Sequence, residues 1–151
     1  MNFADSLRLQ AGLNPEKAAV VCEGRQATFG GLNGRANRIA NAVRGLGLKR
    51  GDAVSVLLYN GAEYIEIFHA LARIGVAMVP VNYRFVAREI EYLVNNSESK
   101  ALIYGSAFED RVEQAWQVPM YHVTRPARLT VGQMRTWWSP APRSMDPDAN
   151  A

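Results

Sequence analysis

The chain has 151 residues, of which 48% are hydrophobic, 9% aromatic and 21% charged. This ordinary globular composition excludes disordered, collagen-like and low-complexity classes, and the length suffices for one domain with its own core. The net charge of +3 comes without a basic run, so the composition does not favour nucleic acid as a partner.

The first third of the chain predicts a helix, a hairpin and a second helix. The predicted bounds are residues 3–13 for the first helix, 18–23 and 26–29 for the two strands, and 32–46 for the second helix. Gly24-Arg25 separates the two strands in the pattern of a tight hairpin turn. Gly47 lies where a left-handed residue would end the second helix.

From residue 53 onward, short apolar runs alternate with helical patterns. The predicted strands are 53–58, 76–81, 101–104 and 120–123, and the predicted helices are 62–74, 88–95 and 108–116. Parallel strands need crossover connections of this kind. We therefore predict a doubly wound α/β fold, with a mostly parallel sheet, helices on both faces and a small hairpin before it.

The predicted domain division follows from where these patterns fade. Residues 1–124 are expected to form the α/β subdomain, and residues 125–151 a partly irregular connector or tail. Within that tail, residues 129–138 could form one helix. An amphipathic helix that anchors the tail also explains its tryptophans better than stacking on bases does.

The expected location is the reducing cytoplasm. Cys22 is the only cysteine, which excludes an intrachain disulfide, and its apolar neighbours favour a buried, unreactive thiol. Residues 1–13 contain no apolar stretch of signal-peptide length. The longest uncharged apolar windows have about half the length of a transmembrane helix.

Residue spacing alone predicts no catalytic residue and no metal ligand. The two histidines, His69 and His122, have no second ligand at metal spacing. The helical spacing of His69 from Glu66 and Arg73 suits surface pairing, and both histidines are interpreted as structural rather than catalytic. The paired acids are interpreted as solvated helix faces or loops; they are Glu63 with Glu66, Glu89 with Glu91, and Asp146 with Asp148.

Three segments carry a recognisable family pattern. They are Ala-Thr-Phe-Gly-Gly-Leu at residues 27–32, Lys-Arg-Gly-Asp-Ala-Val followed by Leu-Leu-Tyr-Asn at 49–60, and Ala-Leu-Ala-Arg-Ile-Gly-Val-Ala-Met-Val-Pro-Val-Asn at 70–82. Together they resemble the N-terminal portion of the adenylate-forming, AMP-dependent synthetase superfamily, in particular the acyl-CoA synthetases. Gly31 departs from the acid and Tyr59 from the proline that the family pattern has at these positions.

The resemblance implies the family's two-step reaction. A carboxylic acid, in particular a fatty acid, reacts with ATP to give an acyl-adenylate and pyrophosphate, and the thiol of coenzyme A then takes the acyl group and releases AMP. ATP, magnesium and coenzyme A are the implied cofactors. The implied fold is the N-terminal α/β subdomain of such enzymes.

The candidate cofactor-binding residues are Asn82, Tyr83 and Arg84. They follow the predicted strand that ends near Pro80, and open α/β sheets bind ligands beyond the carboxyl ends of their strands. A cation at such a strand end suits coenzyme A or an acyl group. A solvated loop arginine is the alternative interpretation of Arg84.

Several parts of the family's machinery are missing from the sequence. It contains no Ser/Thr/Gly-rich phosphate loop ending in Lys-Gly, and no match to the family's magnesium acid, ribose acid or C-terminal lysine. We therefore expect a truncated N-terminal subdomain that does not catalyse adenylation alone. The alternatives are a non-catalytic module that binds coenzyme A or a nucleotide, and a structural module that pairs with a separate catalytic partner. Uncovered apolar surface would favour self-association.

Overall fold

The structure, a computed structural model, describes residues 3–117 and 127–130. Five helices and six strands occur in these residues. In chain order they are α1 (Phe3–Leu13), β1 (Ala18–Cys22), β2 (Arg25–Thr28), α2 (Phe29–Gly45), β3 (Ala53–Leu57), α3 (Ala62–Ile74), β4 (Ala77–Pro80), α4 (Ala87–Asn96), β5 (Ala101–Tyr104), α5 (Glu109–Gln117) and β6 (Ala127–Thr130). A 3-10 turn over Ser106–Phe108 precedes α5.

The main sheet has four parallel strands in the order β4-β3-β5-β6. The two strands at its centre are almost fully buried, because β3 and β5 are short apolar runs covered on both faces. β1 and β2 form a separate antiparallel hairpin. These findings confirm the predicted doubly wound α/β fold with a small hairpin before it.

Alternation along the central strands divides the core into two layers. Val54, Val56 and Ile103 belong to a cluster formed with residues of α1, α2 and α3. Leu102 and Tyr104, which point to the other face of β5, belong to a second cluster with residues of α4 and α5. Helices therefore cover both faces, as the alternation of strands and helices predicts.

The helix ends follow local chemistry. The Thr28 hydroxyl accepts a hydrogen bond from the Gly31 amide at 3.1 Å and so caps the start of α2. Gly75 ends α3 with φ of 74°, and Gly47 has φ of 87° just beyond α2. Both glycines adopt the left-handed conformation that ends a helix at low steric cost.

The hairpin turn differs from its prediction by one residue. Glu23 and Gly24, rather than Gly24 and Arg25, connect β1 to β2, with φ of 49° and 74°. Two positive φ angles in a two-residue connection are typical of a type I′ turn, whose twist matches that of the strands. The structure thus places Arg25 in β2.

The end of the sheet also differs from the pattern. Ala127–Thr130 form β6, parallel to β5, so the predicted helix over residues 129–138 does not begin at Leu129. The predicted strand at residues 120–123 lies outside the described residues, as do His122 and the Asp146–Asp148 pair. The division between residues 124 and 125 stays a prediction. No helix in the described part of the chain has the length and apolar character needed to cross a membrane.

Candidate functional site

The strand order creates a topological switch point between β3 and β5. From β3 the chain crosses to β4 on one side, and it then returns to β5 on the other side of β3. The connections beyond the carboxyl ends of β3 and β5 therefore diverge and leave a crevice between them. Open α/β sheets bind ligands at such a point.

A cleft of about 610 Å³ occupies this point. Residues 58–61, which follow β3, line one side, and residues 105–108, which follow β5, line another. Glu23 and Glu63 add carboxylates to the lining. The cleft thus combines main chain from two strand ends with apolar, amide and acidic side chains.

A second cleft of about 440 Å³ adjoins the first and shares Glu23, Asn60, Gly61 and Glu63 with it. Its lining includes Arg35 of α2 and Glu66 of α3, which form an ion pair with 2.6 Å between Nε and Oε1. Only 4% of the Glu66 side chain is exposed. The interpretation of Glu66 as part of a solvated helix face is therefore wrong, and so is that of Glu91, which is buried and accepts a hydrogen bond from Asn95.

The candidate residues Asn82, Tyr83 and Arg84 lie in the loop that follows the edge strand β4. All three are exposed. The Asn82 side-chain oxygen accepts a hydrogen bond from the Arg84 amide at 2.9 Å, and its carbonyl accepts one from the Phe85 amide at 3.0 Å. Asn82 therefore shapes the loop, whereas the side chains of Tyr83 and Arg84 are available to solvent.

Aromatic contacts connect this loop to the end of β3. The ring centroids of Tyr59 and Tyr83 are 5.4 Å apart, and those of Tyr59 and Phe108 are 4.8 Å apart. The Arg84 guanidinium carbon lies 5.5 Å from the Tyr83 ring centroid. We call Tyr59, Asn82, Tyr83 and Arg84 the strand-end site.

Two members of this arrangement could not be found from motifs. Tyr59 stands out in the sequence only as a departure from the family pattern. Arg111 of α5 donates hydrogen bonds to the carbonyls of Tyr83 and Phe85 at 2.7 and 3.2 Å. These partners are 28 and 26 residues away in the chain, so no local pattern indicates the contact.

Burial changes the protonation of several groups around the sheet. It raises the pKa of Tyr104 to about 12, and the Glu109 carboxylate, which accepts a hydrogen bond from this hydroxyl, adds to the effect. Burial raises the pKa of Glu66, whereas the hydrogen bond and the positive charge of Arg35 act to lower it. Burial lowers the pKa of His69, which is not the surface residue that its helical spacing indicates.

The described residues contain no group of three or more His, Cys, Asp or Glu side chains that could hold a metal ion. Tyr104 and Glu109 form an internal hydrogen bond rather than an acid–base pair that faces the cleft. The groups that the arrangement presents are the Arg84 guanidinium, the Tyr59 and Tyr83 rings and main-chain groups at the strand ends. It offers a surface for recognition, with no nucleophile beside a base among the side chains described above.

The profile of a family described as "AMP-binding enzyme" matches residues 7–148. Among curated proteins, the 3-oxocholest-4-en-26-oate–CoA ligase of Rhodococcus rhodochrous is 37% identical over 112 residues, which is 74% of this chain and 20% of that protein. A long-chain-fatty-acid–CoA ligase of Mycobacterium tuberculosis is 34% identical over 107 residues, 70% of this chain and 21% of that protein.

Solved structures agree with these sequence relatives. The fatty acyl-CoA synthetase of Mycobacterium tuberculosis superposes with a TM-score of 0.84 and 28% identity, over 91% of this chain and 28% of that chain. An anthranilate–CoA ligase in complex with anthranoyl-AMP has a TM-score of 0.83 and 25% identity, over 97% and 28% of the two chains. The chain thus spans about a fifth to a quarter of the curated relatives.

Proposed function

Because the chain belongs to the AMP-binding enzyme family, we propose that it forms the N-terminal part of an ATP-dependent acid–thiol ligase and binds coenzyme A at the strand-end site. The names of its relatives support the reaction class. They include ligases that join acids to coenzyme A and one that joins a fatty acid to an acyl-carrier protein. The acids in these names differ, and a fatty acid recurs among them, so a fatty acid is the substrate we propose first.

The observation that carries the coenzyme A proposal is an exposed cation over an aromatic ring beside the switch-point cleft. Arg84 lies over Tyr83, and Tyr83 contacts Tyr59, whose neighbours 58–61 line the cleft. Coenzyme A combines phosphates with a planar adenine. A guanidinium binds phosphate through charge-assisted hydrogen bonds, and an aromatic ring stacks on adenine. The proposal therefore rests on a cation for the phosphates and rings for the base, which lie side by side in this site.

ATP and magnesium fit the described residues less well. No acidic cluster for a metal occurs there, and no phosphate loop occurs in the sequence. Adenylyl transfer depends on positioned donors and cations around the reacting phosphate. We therefore propose that these 151 residues do not form an acyl-adenylate unless residues from a longer chain or a separate partner complete the site.

The adenylation proposal is tested by acid-dependent ATP–pyrophosphate exchange with the purified 151-residue chain and a panel of fatty acids. The expected result is exchange equal to that of a protein-free blank. Exchange that requires both the chain and an acid would contradict the proposal, because it would demand a complete adenylation site within these residues.

The coenzyme A proposal is tested by titration calorimetry with Arg84→Met, using Arg44→Met as the matched control. Arg44 is also an exposed arginine and lies on α2, away from the strand-end site. Loss of one charge-assisted hydrogen bond should weaken coenzyme A binding by about tenfold in Arg84→Met and leave Arg44→Met unchanged. Equal affinities of the two variants, or no saturable binding by the wild type, would contradict the site.

We further propose that the isolated chain self-associates through apolar side chains near this site. Tyr59 is 55% exposed and Val86, which follows the loop of Tyr83 and Arg84, is 58% exposed. Sedimentation velocity over a range of protein concentrations should give a rising weight-average mass. A single monomeric species at all concentrations would contradict this proposal without affecting the coenzyme A site.

A further inference from the structure

The loop between β4 and α4, which contains Asn82, Tyr83 and Arg84 of the strand-end site, has few internal hydrogen bonds. Two hydrogen bonds hold it internally, one from the Arg84 amide and one from the Phe85 amide, and both are accepted by Asn82. Asn82, Tyr83 and Arg84 are exposed, and only Phe85 packs against the α4–α5 core layer as a half-buried residue. Its conformation therefore depends on contacts from outside the loop.

Arg111 supplies such a contact from α5. Its Nη1 donates to the carbonyl of Tyr83 at 2.7 Å and to that of Phe85 at 3.2 Å. Hydrogen bonds from a charged donor are stronger than neutral ones, and here two of them hold alternate carbonyls of one turn. The loop residues between β4 and α4 are thereby fixed to the element that follows β5.

The Arg111 side chain is itself held in place. Its guanidinium carbon lies 5.0 Å from the ring centroid of Phe108, which is 1% exposed. Phe108 contacts Tyr59, and Tyr59 contacts Tyr83. Arg111 is therefore linked to Tyr83 in two ways: directly, by a hydrogen bond to its carbonyl, and indirectly, through the contacting rings of Phe108, Tyr59 and Tyr83. These contacts connect the carboxyl ends of β3, β4 and β5.

We propose that Arg111 is a positioning residue, which fixes the Tyr83–Phe85 main chain and so orients Tyr83 and Arg84 toward their ligand. The ligand assignment rests on the coenzyme A function proposed above. Because Nη1 of Arg111 already donates to two loop carbonyls and its guanidinium lies over Phe108, the role we assign is one that acts through the loop rather than by contact with a phosphate. A preformed loop loses less conformational freedom on binding, which raises affinity.

The test compares Arg111→Met, Arg111→Lys and the charge control Arg44→Met by hydrogen exchange of individual amides. The reporters are the Arg84 and Phe85 amides, whose hydrogen bonds form only in the ordered loop. The references are the Ala77 and Lys100 amides. They donate to the carbonyls of Asp52 and Ala53 at the amino ends of the strands, opposite the strand-end site.

In Arg111→Met the reporter amides should exchange about tenfold faster while the reference amides keep their rates, since the loop alone loses its anchor. Arg111→Lys retains a charged donor and should recover part of the protection. Arg44→Met should equal the wild type. Unchanged reporter rates would overturn the proposal, and so would faster exchange of reporters and references together, because that pattern indicates a role in global stability.

Binding measurements with coenzyme A and 3′-dephospho-coenzyme A complete the test. They are made in the Arg84→Met background, where a positioning role predicts that Arg111→Met weakens both ligands by the same factor, about tenfold. A larger loss for coenzyme A in that background would indicate direct contact of Arg111 with the 3′-phosphate and overturn the positioning role. If the wild type binds neither ligand, the coenzyme A function fails, whereas the exchange rates still decide whether Arg111 holds the loop.

Discussion

At the scale of single residues, the Arg35–Glu66 ion pair lines the second cleft and joins α2 to α3. Glu66 is almost completely buried, and Arg35 is 30% exposed. Such a pair contributes little over an apolar replacement, because both charges lose hydration. Breaking it by removing one partner is costly, since the other charge is then buried without compensation.

Arg35→Met should therefore lower the free energy of unfolding by about 2–3 kcal/mol, less than the ~3–5 kcal/mol typical of a fully buried pair because Arg35 is partly hydrated. Urea unfolding at neutral pH measures the change. The double variant Arg35→Met/Glu66→Leu removes both charges and should recover most of the loss. Arg35→Met with wild-type stability would contradict the importance of the pair.

His69 predicts a pH dependence of stability. Burial, with a smaller effect of Arg73, lowers the pKa of His69 below its ordinary value of 6.5. Below pH 6.5 the unfolded chain therefore binds a proton that the folded protein does not, and the free energy of unfolding falls as the pH decreases. His69→Gln should lose this part of the decrease. Parallel stability profiles of wild type and variant between pH 7 and 5 would contradict it.

At the scale of elements, two glycines separate the effect of backbone conformation from that of helix propensity. Gly75 ends α3 with φ of 74°, and a Cβ there would lie 2.8 Å from Cγ of Arg50. Gly34 lies inside α2, where an added Cβ meets no atom within 4 Å. Alanine at residue 75 would have to adopt a left-handed backbone conformation, whereas alanine at residue 34 would keep an ordinary helical one.

Gly75→Ala should destabilise the protein by about 1–2 kcal/mol, because alanine is strained in the left-handed region. Gly34→Ala should stabilise it by about 0.5–1 kcal/mol through higher helix propensity. Thermal unfolding of the two variants side by side measures both effects. A change of the same sign in both would contradict the assignment of Gly75 as a left-handed helix end.

Elements with local signals were predictable from the sequence. The helix over 62–74 has the predicted bounds, because its apolar periodicity and the left-handed Gly75 define it locally. The strand over 101–104 also has the predicted bounds, because it is a short apolar run. Asn82, Tyr83 and Arg84 follow β4 as expected. The hairpin turn was misplaced by one residue, since the preference for positive φ at Glu23 has no strong sequence signal.

Contacts between distant elements were not predictable in the same way. Glu66 has the helical spacing of a surface acid, and only the packing of α3 against α2 buries it beside Arg35. Arg111 looks like an ordinary helix residue until the sheet brings α5 next to the loop after β4. Both depend on how elements distant in the chain pack together, which periodicity within one chain segment does not specify.

At the scale of the whole molecule, the described residues form a parallel sheet with helices on both faces, and the proposed ligand site lies at the carboxyl end of that sheet. The switch-point cleft, the second cleft and the strand-end site all lie at this end. Family membership motivates the reaction class that we propose, and the exposed cation beside aromatic rings motivates the coenzyme A proposal. We propose that this end of the sheet binds coenzyme A.

An NMR titration of the isotopically labelled chain with coenzyme A tests this proposal. We expect saturable shifts that are largest at the amides of residues 59–61 and 82–85. The internal references are Gly51 and Gly75, which are hydrogen-bonded to each other at the opposite end of the sheet and should not shift. No saturable shifts, or shifts largest at those glycines, would contradict coenzyme A binding at the carboxyl end of the sheet.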